Sequence, residues 1–258
     1  MKKRNVIVAV IVVIAIVIGG LTIWKPSPKL KELVNKIEKK VDTDSYQNWK
    51  EVANDRIKLT EAKIALLKAK VAMEIVQSQQ TAEKELDSAM NLLSDVRSDL
   101  INKSHDQIEV VRQKIGKAKE GIKKKSIDAG ENVSEAIEET EALIKEYDSK
   151  MMNIKKEGGE QLYDHYVNLQ AQAALLKAKL AAGYKETYDQ AYNNLEEAKR
   201  WYKHNNYEAS KMIDSTNQKM IEKINEAQEY LKEKKDEAGV LISDIYSKAS
   251  ELVKDDDQ

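Results

Sequence analysis

The stretch Ala65-Leu66-Leu67-Lys68-Ala69-Lys70 decides the fold, because the same six letters return as Ala174 to Lys179, an offset of 109 residues. At this fixed offset, without a gap, further identical residues coincide: Leu86 with Leu195, Ala89 with Ala198, Ile115 with Ile224, Gly130 with Gly239, and Leu143 with Leu252. The body of the chain is therefore a tandem duplication. We place copy one at residues 44–149 and copy two at residues 150–258.

The composition is typical of long helices. Charged residues make up 34% of the chain, phenylalanine is absent, and the two prolines both precede the duplicated body. We therefore predict an all-α protein with two tandem helical bundles, of about three helices each. The 43 basic and 44 acidic residues are interspersed, which excludes a basic surface for nucleic acid. Because there is no cysteine, disulfides and thiolate metal sites are also excluded.

The amino terminus carries a membrane signal. Three basic residues precede an uncharged run over residues 5–24, which is long enough to span a bilayer. We predict an uncleaved anchor at residues 1–24, with the lipid bilayer as a partner through residues 5–24. A signal peptide cleaved after Gly19 is the alternative, although the run is longer than a usual signal core and lacks an A-x-A site. Pro26 and Pro28 end this helix.

The orientation of the anchor depends on two opposing features. Lysines on the far side, such as Lys25 and Lys29, favour a cytoplasmic body, whereas a very short basic start before an apolar run is the layout of a signal-anchor. We predict the second arrangement, in the cytoplasmic (inner) membrane with the amino terminus inside and the body periplasmic or extracellular. Residues 25–43 form an amphipathic stalk, which either rests on anionic headgroups or is solvated.

Three helices are predicted in each copy from the spacing of apolar residues. In copy one the first runs from a cap at Asp44 or Ser45 to about Gln77, and its stripe includes Ile57, Ile64, Leu67, Val71 and Ile75. Ser78 and Thr187, which coincide at the offset, are predicted caps of the second helix. Gly183 precedes the second of these caps as a residue that tolerates positive φ.

The third helix is the longest in each copy, and the capping box of Ser104 and Gln107 opens it in copy one. Gly130 and Gly239 follow its middle at equivalent positions. A kink or a close helix crossing is the predicted reason for them, and a short break that splits the helix in two is the alternative. The pair Gly158-Gly159 is predicted to hinge into copy two.

No catalytic site is predicted. His105, His165 and His204 lie far apart and form no metal-binding motif, and no phosphate-binding or nucleophile motif is present. We therefore expect neither enzyme activity nor a cofactor or metal.

The tyrosines form the one candidate contact surface, because ten of the eleven follow residue 146. Four of them occupy positions that are polar in copy one, where Asn54, Gln79, Glu83 and Ser98 stand: Tyr163, Tyr188, Tyr192 and Tyr207. They form either a wider core or interface with copy one, or an aromatic patch that binds a partner.

A family resemblance rests on the segment from Ala174 to Tyr202, ALLKAKLAAGYKETYDQAYNNLEEAKRWY. It resembles the helical hairpin of the HemX-like family, which are membrane-anchored bacterial proteins with an extracytoplasmic helical domain, and it is similar to tetratricopeptide hairpins. The third helices resemble YtxH-type and late-embryogenesis helices in composition. The resemblance implies a hairpin topology and an accessory role in a membrane-associated enzyme system.

Three functions remain open from the sequence. The first is a membrane-anchored, non-catalytic helical scaffold or protein-docking module, with an unknown protein or a second copy of the chain as its partner. The second is a membrane-surface protein whose amphipathic helices bind or shape lipid. The third is the accessory subunit that the family resemblance implies.

Overall fold

The computed structural model describes residues 43–96, 104–156, 160–204 and 211–255. These residues form eight α-helices and no strand, so the all-α prediction is confirmed for them. The helices are α1 Thr43–Glu74, α2 Gln79–Ser94, α3 Ser104–Lys124, α4 Asp128–Lys156, α5 Glu160–Ala182, α6 Tyr188–His204, α7 Lys211–Lys232 and α8 Ala238–Asp255, with a short 3₁₀ helix at Lys185–Thr187.

The predicted membrane anchor and all of the predicted stalk except Thr43 lie outside the described residues. Within the described ranges, no helix has the length and apolar character that a membrane crossing requires.

Helices α1 to α4 form an antiparallel four-helix bundle, in which α1 packs against both α2 and α4. Lys119, in the last third of α3, bonds to Asp87 at the middle of α2. Lys70, near the end of α1, donates to Ser134 Oγ near the start of α4 at 2.8 Å. These contacts fix an up-down-up-down order, with the α1–α2 and α3–α4 turns at the same end.

Helices α5 to α8 repeat this arrangement. The Lys232 Nζ late in α7 lies 5.5 Å from the centre of the Tyr192 ring early in α6. Gln172 in α5 donates to the Ala249 carbonyl in α8 at 3.1 Å. The helical-bundle prediction is therefore confirmed, although the predicted boundary between the copies at residues 149 and 150 falls inside α4.

The prediction of three helices per copy is wrong, because the third helix of each copy is two helices. The break comes before the glycines, at Lys125 and Lys234, which coincide at the offset and have φ of 53° each. The Ser126 amide bonds to the Gly121 carbonyl at 2.8 Å, and the Lys235 amide bonds to the Tyr230 carbonyl at 2.9 Å. Both are Schellman caps, which end a helix with one left-handed residue.

For Gly130 and Gly239 the predicted kink or close helix crossing is wrong, whereas the alternative, a short break that splits the helix in two, is confirmed a few residues before each glycine. A Cβ at either position would have no neighbour within 4 Å, so neither marks a close helix crossing. The close crossing is instead at Gly121, where a Cβ would lie 2.9 Å from Ala129 Cβ and 3.1 Å from Ala129 Cα. This glycine lets α3 and α4 approach each other just before the turn.

The predicted caps of the second helices have different outcomes. Ser78 caps α2 as predicted, since its Oγ accepts from the Thr81 amide. Thr187 instead donates to the carbonyls of Ala181 and Tyr184, at 2.5 and 2.9 Å. Gly183 does not adopt positive φ; it makes room for Ile75, whose Cδ1 lies 2.5 Å from the place of a Cβ. The Gly158-Gly159 hinge lies outside the described residues.

The core follows the repeated positions closely. Leu67 and Leu176 are both 2% exposed, and the matched pairs of α2 with α6 and of α3 with α7 are buried: Leu86 with Leu195, Ala89 with Ala198, Ile115 with Ile224, and Ala118 with Ala227. Leu176 belongs to the cluster built by copy one, whereas Leu175 faces copy two. Helix α5 therefore contributes to both cores. Ile75, which the predicted stripe of the first helix places in the core, is exposed.

Candidate functional site

The two bundles meet along a seam between α1 and α5, the equivalent first helices of the two copies. Arg56 contacts Tyr166, and Lys63 contacts Gln170, over sequence separations of 110 and 107 residues. At the end of the same helices Ile75 lies against Gly183. Because these separations stay close to the repeat period, α1 and α5 run parallel and nearly in register. The bundles therefore stand side by side with equivalent ends together.

At one end of the seam Arg56 lies on the ring of Tyr166, and Trp201 packs against the same ring. The Arg56 guanidinium carbon lies 4.2 Å from the centre of the Tyr166 ring, and the guanidinium also donates to the Tyr166 hydroxyl. Trp201 of α6 meets Tyr166 edge to face, with the ring centroids 5.8 Å apart. Burial lowers the pKa of Arg56 and raises the pKa of Tyr166. Such a desolvated cation on an aromatic face is a strong, directional contact.

The middle of the seam is a hydrogen-bonded network centred on Gln170. Lys63 Nζ donates to Gln170 Oε1 at 2.9 Å, and Gln170 Nε2 donates to the Tyr166 hydroxyl at 2.6 Å. The same amide reaches Thr60 Oγ1 at 3.5 Å. The amide oxygen and the amide nitrogen of Gln170, in α5, thus both bond to side chains of α1. These bonds form together only in one register of α1 against α5.

Glu141 of α4 brings a carboxylate to this network. It lies 2.5 Å from Lys177 Nζ and 3.8 Å from Lys63 Nζ. Burial lowers the pKa of Lys63 to about 8, and the Glu141 carboxylate partly opposes this by raising it. Two lysines from two helices thus share one acid. The buried charge of Lys63 is weak evidence for added stability, because the cost of desolvation offsets its attraction to Glu141.

The seam does not have the form of a reactive site. A lysine with a pKa near 8 has the property of an amine nucleophile. The Lys63 side chain is only 7% exposed, however, and its amine faces Gln170 and Glu141, so a substrate carbonyl has no approach. In the part of the chain that the structure describes, no group of three His, Asp or Glu side chains is placed to hold a metal ion.

The predicted tyrosine patch has little free surface. Tyr163 and Tyr188 are 7% and 8% exposed, and Tyr192 is partly buried against the core of copy two. Burial raises the pKa of the Tyr163 hydroxyl. The charge of Arg56 lowers this pKa by a smaller amount. Tyr207 lies outside the described residues. Partner binding by these four tyrosines stays a prediction, in which Tyr192 offers the most accessible of the three described rings.

Exposed apolar side chains gather elsewhere, at the end of the bundles where the α1–α2, α3–α4, α5–α6 and α7–α8 turns lie. We call this the turn end. Among the residues whose side-chain exposure the structure describes, six large hydrophobic residues are exposed, and five of these six belong to this end: Ile75, Val76, Ile127, Tyr184 and Val240. The sixth, Val110, lies in the first half of α3. Ile127 is 95% exposed, which is the extreme value among them.

The turn end was missed by sequence reasoning for a physical reason. Ile75 continues the apolar spacing of α1, and this spacing predicts a core position. The helix ends at Glu74, however, so Ile75 lies in the turn and its side chain is exposed. Ile127 has a clearer signal: at its offset partner copy two has Asp236, a charged residue. An apolar residue opposite a charged one in a repeat indicates a surface role in one copy.

Comparison with known proteins finds no match, neither to a family model, nor to a curated protein, nor to a solved structure. The resemblance to the HemX-like family therefore stays a prediction, as does the accessory role that it implies.

Proposed function

We propose that the protein is a membrane-anchored, non-catalytic scaffold. Residues 5–24 hold it in the cytoplasmic membrane, with the amino terminus inside and the body periplasmic or extracellular. The two bundles then project as one rigid body and offer their surface to a protein partner or to a second copy of the chain.

The seam is the observation that carries this proposal. A buried Arg56–Tyr166 contact and the network around Gln170 hold two similar bundles in one orientation. A scaffold needs such a fixed geometry. Two bundles joined by a flexible linker would not hold their docking surfaces at a constant distance. Helix α1 alone has 32 residues, so the body extends about 48 Å along its axis.

The absence of cysteine gives a direct test of the anchor and its orientation. A single cysteine in place of the exposed Glu131 should react with a membrane-impermeant maleimide in intact cells. Deletion of residues 5–24 should move the protein from the membrane fraction to the soluble fraction. Labelling only after lysis would contradict the proposed orientation, and a membrane fraction unchanged by the deletion would contradict the anchor.

A photo-crosslinking residue at Tyr192 tests the docking part of the proposal. Glu83 is the matched control, since it holds the same position in copy one. We expect one defined adduct from Tyr192 in the anchored protein and none from Glu83. Equal adducts from both positions, or none from either, would count against a partner at the tyrosines.

Lipid binding by the body is the second candidate function, and the turn end is the observation that favours it. Its exposed residues combine apolar side chains with lysines, which is the composition of surfaces that lie on anionic membranes. This candidate is compatible with an anchor, because it concerns the other end of the body.

A further inference from the structure

We propose that the turn between α3 and α4 is a lipid-docking tip, in which Ile127 inserts into an anionic bilayer surface while Lys123, Lys124 and Lys125 contact the headgroups. The proposal does not depend on the scaffold function; it rests on the second candidate function, lipid binding by the body. It names a second lipid contact, distinct from residues 5–24.

Hydrogen bonds fix the backbone on both sides of Ile127. The Schellman cap at Lys125 turns the chain sharply, and Ser126 Oγ then accepts from the Asp128 amide at 3.3 Å to start α4. Between these two points Ile127 is held outward with 95% of its surface exposed. The three lysines before it are exposed as well.

Copy two shows that the fold does not require this isoleucine. The α7–α8 turn has the same left-handed lysine and the same pair of capping bonds. At the position of Ile127 it carries the exposed Asp236, and Glu233 and Glu237 flank it. The copy-two turn also carries the exposed Lys232, Lys234 and Lys235, so the same turn geometry is found with a charged residue and with an isoleucine at this one position. The apolar side chain therefore serves contact with something outside the chain.

The chemistry of the tip favours lipid over protein. A stable protein interface buries on the order of 1,200 Å² or more, with shape complementarity, which a convex three-residue turn does not supply. A fluid bilayer accepts a convex apolar protrusion, and its anionic headgroups attract lysines placed beside it. Three acidic residues lie near these lysines and offset part of their charge: Glu120, which pairs with Lys124 at 3.4 Å, and Asp128 and Glu131 in the first turn of α4.

The rest of the turn end supports the same contact. Lys70 and Ser134 are hydrogen bonded; α1 ends at Glu74, about 6 Å from Lys70 along the helix, and α4 begins at Asp128, about 9 Å from Ser134. The α1–α2 and α3–α4 turns therefore reach similar heights. Val76, 60% exposed, and Tyr184 in the neighbouring α5–α6 turn would meet the same surface, and tyrosine is favoured at membrane interfaces.

The first test uses the full chain reconstituted in neutral phosphatidylcholine vesicles, with added vesicles containing phosphatidylglycerol. A single cysteine at Ile127, labelled with an environment-sensitive fluorophore, should shift to the blue and brighten when the anionic vesicles are added. The matched control is the same label at Asp236, which has the same turn geometry and should not respond. No response at Ile127, or equal responses at the two positions, would overturn the proposal.

The second test measures capture of the anionic vesicles by unlabelled protein. Ile127→Asp, which copies the residue of the sister turn, should lower the apparent affinity about tenfold or more, as expected for loss of one buried isoleucine. Val110→Asp makes the same change at the exposed residue outside the turn end and should not lower it. Circular dichroism should give both variants the melting temperature of the parent protein.

Replacement of Lys123, Lys124 and Lys125 by glutamine should also weaken capture and make it less sensitive to salt. The corresponding change of Lys232, Lys234 and Lys235 is its control and should have a smaller effect. Capture that is unchanged by Ile127→Asp would refute lipid insertion and favour an acidic protein as the occupant of this tip.

Discussion

Lys63 makes the stability of the body depend on pH, and this dependence can be worked out from the structure. Its folded-state pKa of about 8 lies below the ordinary value of 10.5, because burial disfavours the charged amine. Between these pH values the folded chain binds fewer protons than the unfolded chain. Stability therefore rises with pH, and the cost of burying the charge is fully present below pH 8 and lost near pH 10.5.

The full cost corresponds to about 3 kcal/mol, from the difference between the two pKa values. Between pH 7 and pH 10 the free energy of unfolding should gain about 2–3 kcal/mol from this one group. Lys63→Gln should remove this gain, since Gln172 is the equivalent residue in copy two and glutamine bears no charge.

Urea unfolding of the full chain in a neutral detergent, followed by circular dichroism between pH 7 and pH 10, measures this difference. Ionisation of tyrosine and of other lysines is shared by both proteins and cancels in the comparison. Lys70→Gln on the same helix is the control, because Lys70 is partly exposed, and its profile should parallel that of the parent. Parallel profiles for the parent and Lys63→Gln would refute the reasoning.

Three further predictions follow from burial and close contact. Leu67→Ala and Leu176→Ala should each cost about 2–5 kcal/mol in urea unfolding, because both leucines are buried in the same core cluster; a cost near zero would mean that the shared hexamer is a surface motif. Gly121→Ala should lower the free energy of unfolding by about 1–3 kcal/mol, since its Cβ would press on Ala129. Gly130→Ala, where a Cβ has open space, should not lower it, and equal effects would argue against the close crossing. Tyr188→Gln should lower the free energy of unfolding by about 2 kcal/mol or more, because Tyr188 is buried, and Tyr192→Glu should lower it by less. Thermal unfolding measures both, and the reverse order would contradict the burial of Tyr188.

The repeat was enough to predict the class of fold and most of the core, because Leu86 and Leu195, or Ile115 and Ile224, can occupy equivalent places only if both copies fold alike. The break of the third helix was placed at the wrong residue, since a lysine takes the left-handed position that usually belongs to glycine. The glycines nearby, Gly130 and Gly239, lie inside the first turn of the next helix instead.

The seam could not be predicted from periodicity. Arg56 and Lys63 are charged, and a pattern of apolar spacing assigns such residues to solvent. Their burial depends on partners more than a hundred residues away, Tyr166 and Gln170, which no local signal identifies. The tyrosines show a related limit: the polar residues at the equivalent places in copy one left both a buried and a surface position open for Tyr163 and Tyr188, and both are buried.

The central claim is that α1 and α5 run parallel and in register, so that the two copies form one rigid body. Ile75 and Gly183 test it most directly, because Ile75 Cδ1 reaches to within 2.5 Å of the place of a Cβ at Gly183. In a chain without native cysteine, Ile75→Cys with Gly183→Cys should form an intramolecular crosslink under mild oxidation, seen as a change in gel mobility. The account predicts this crosslink, and no crosslink for Val52→Cys with Gly183→Cys, which lie at opposite ends of the seam. Crosslinking of the second pair but not the first would contradict the parallel seam.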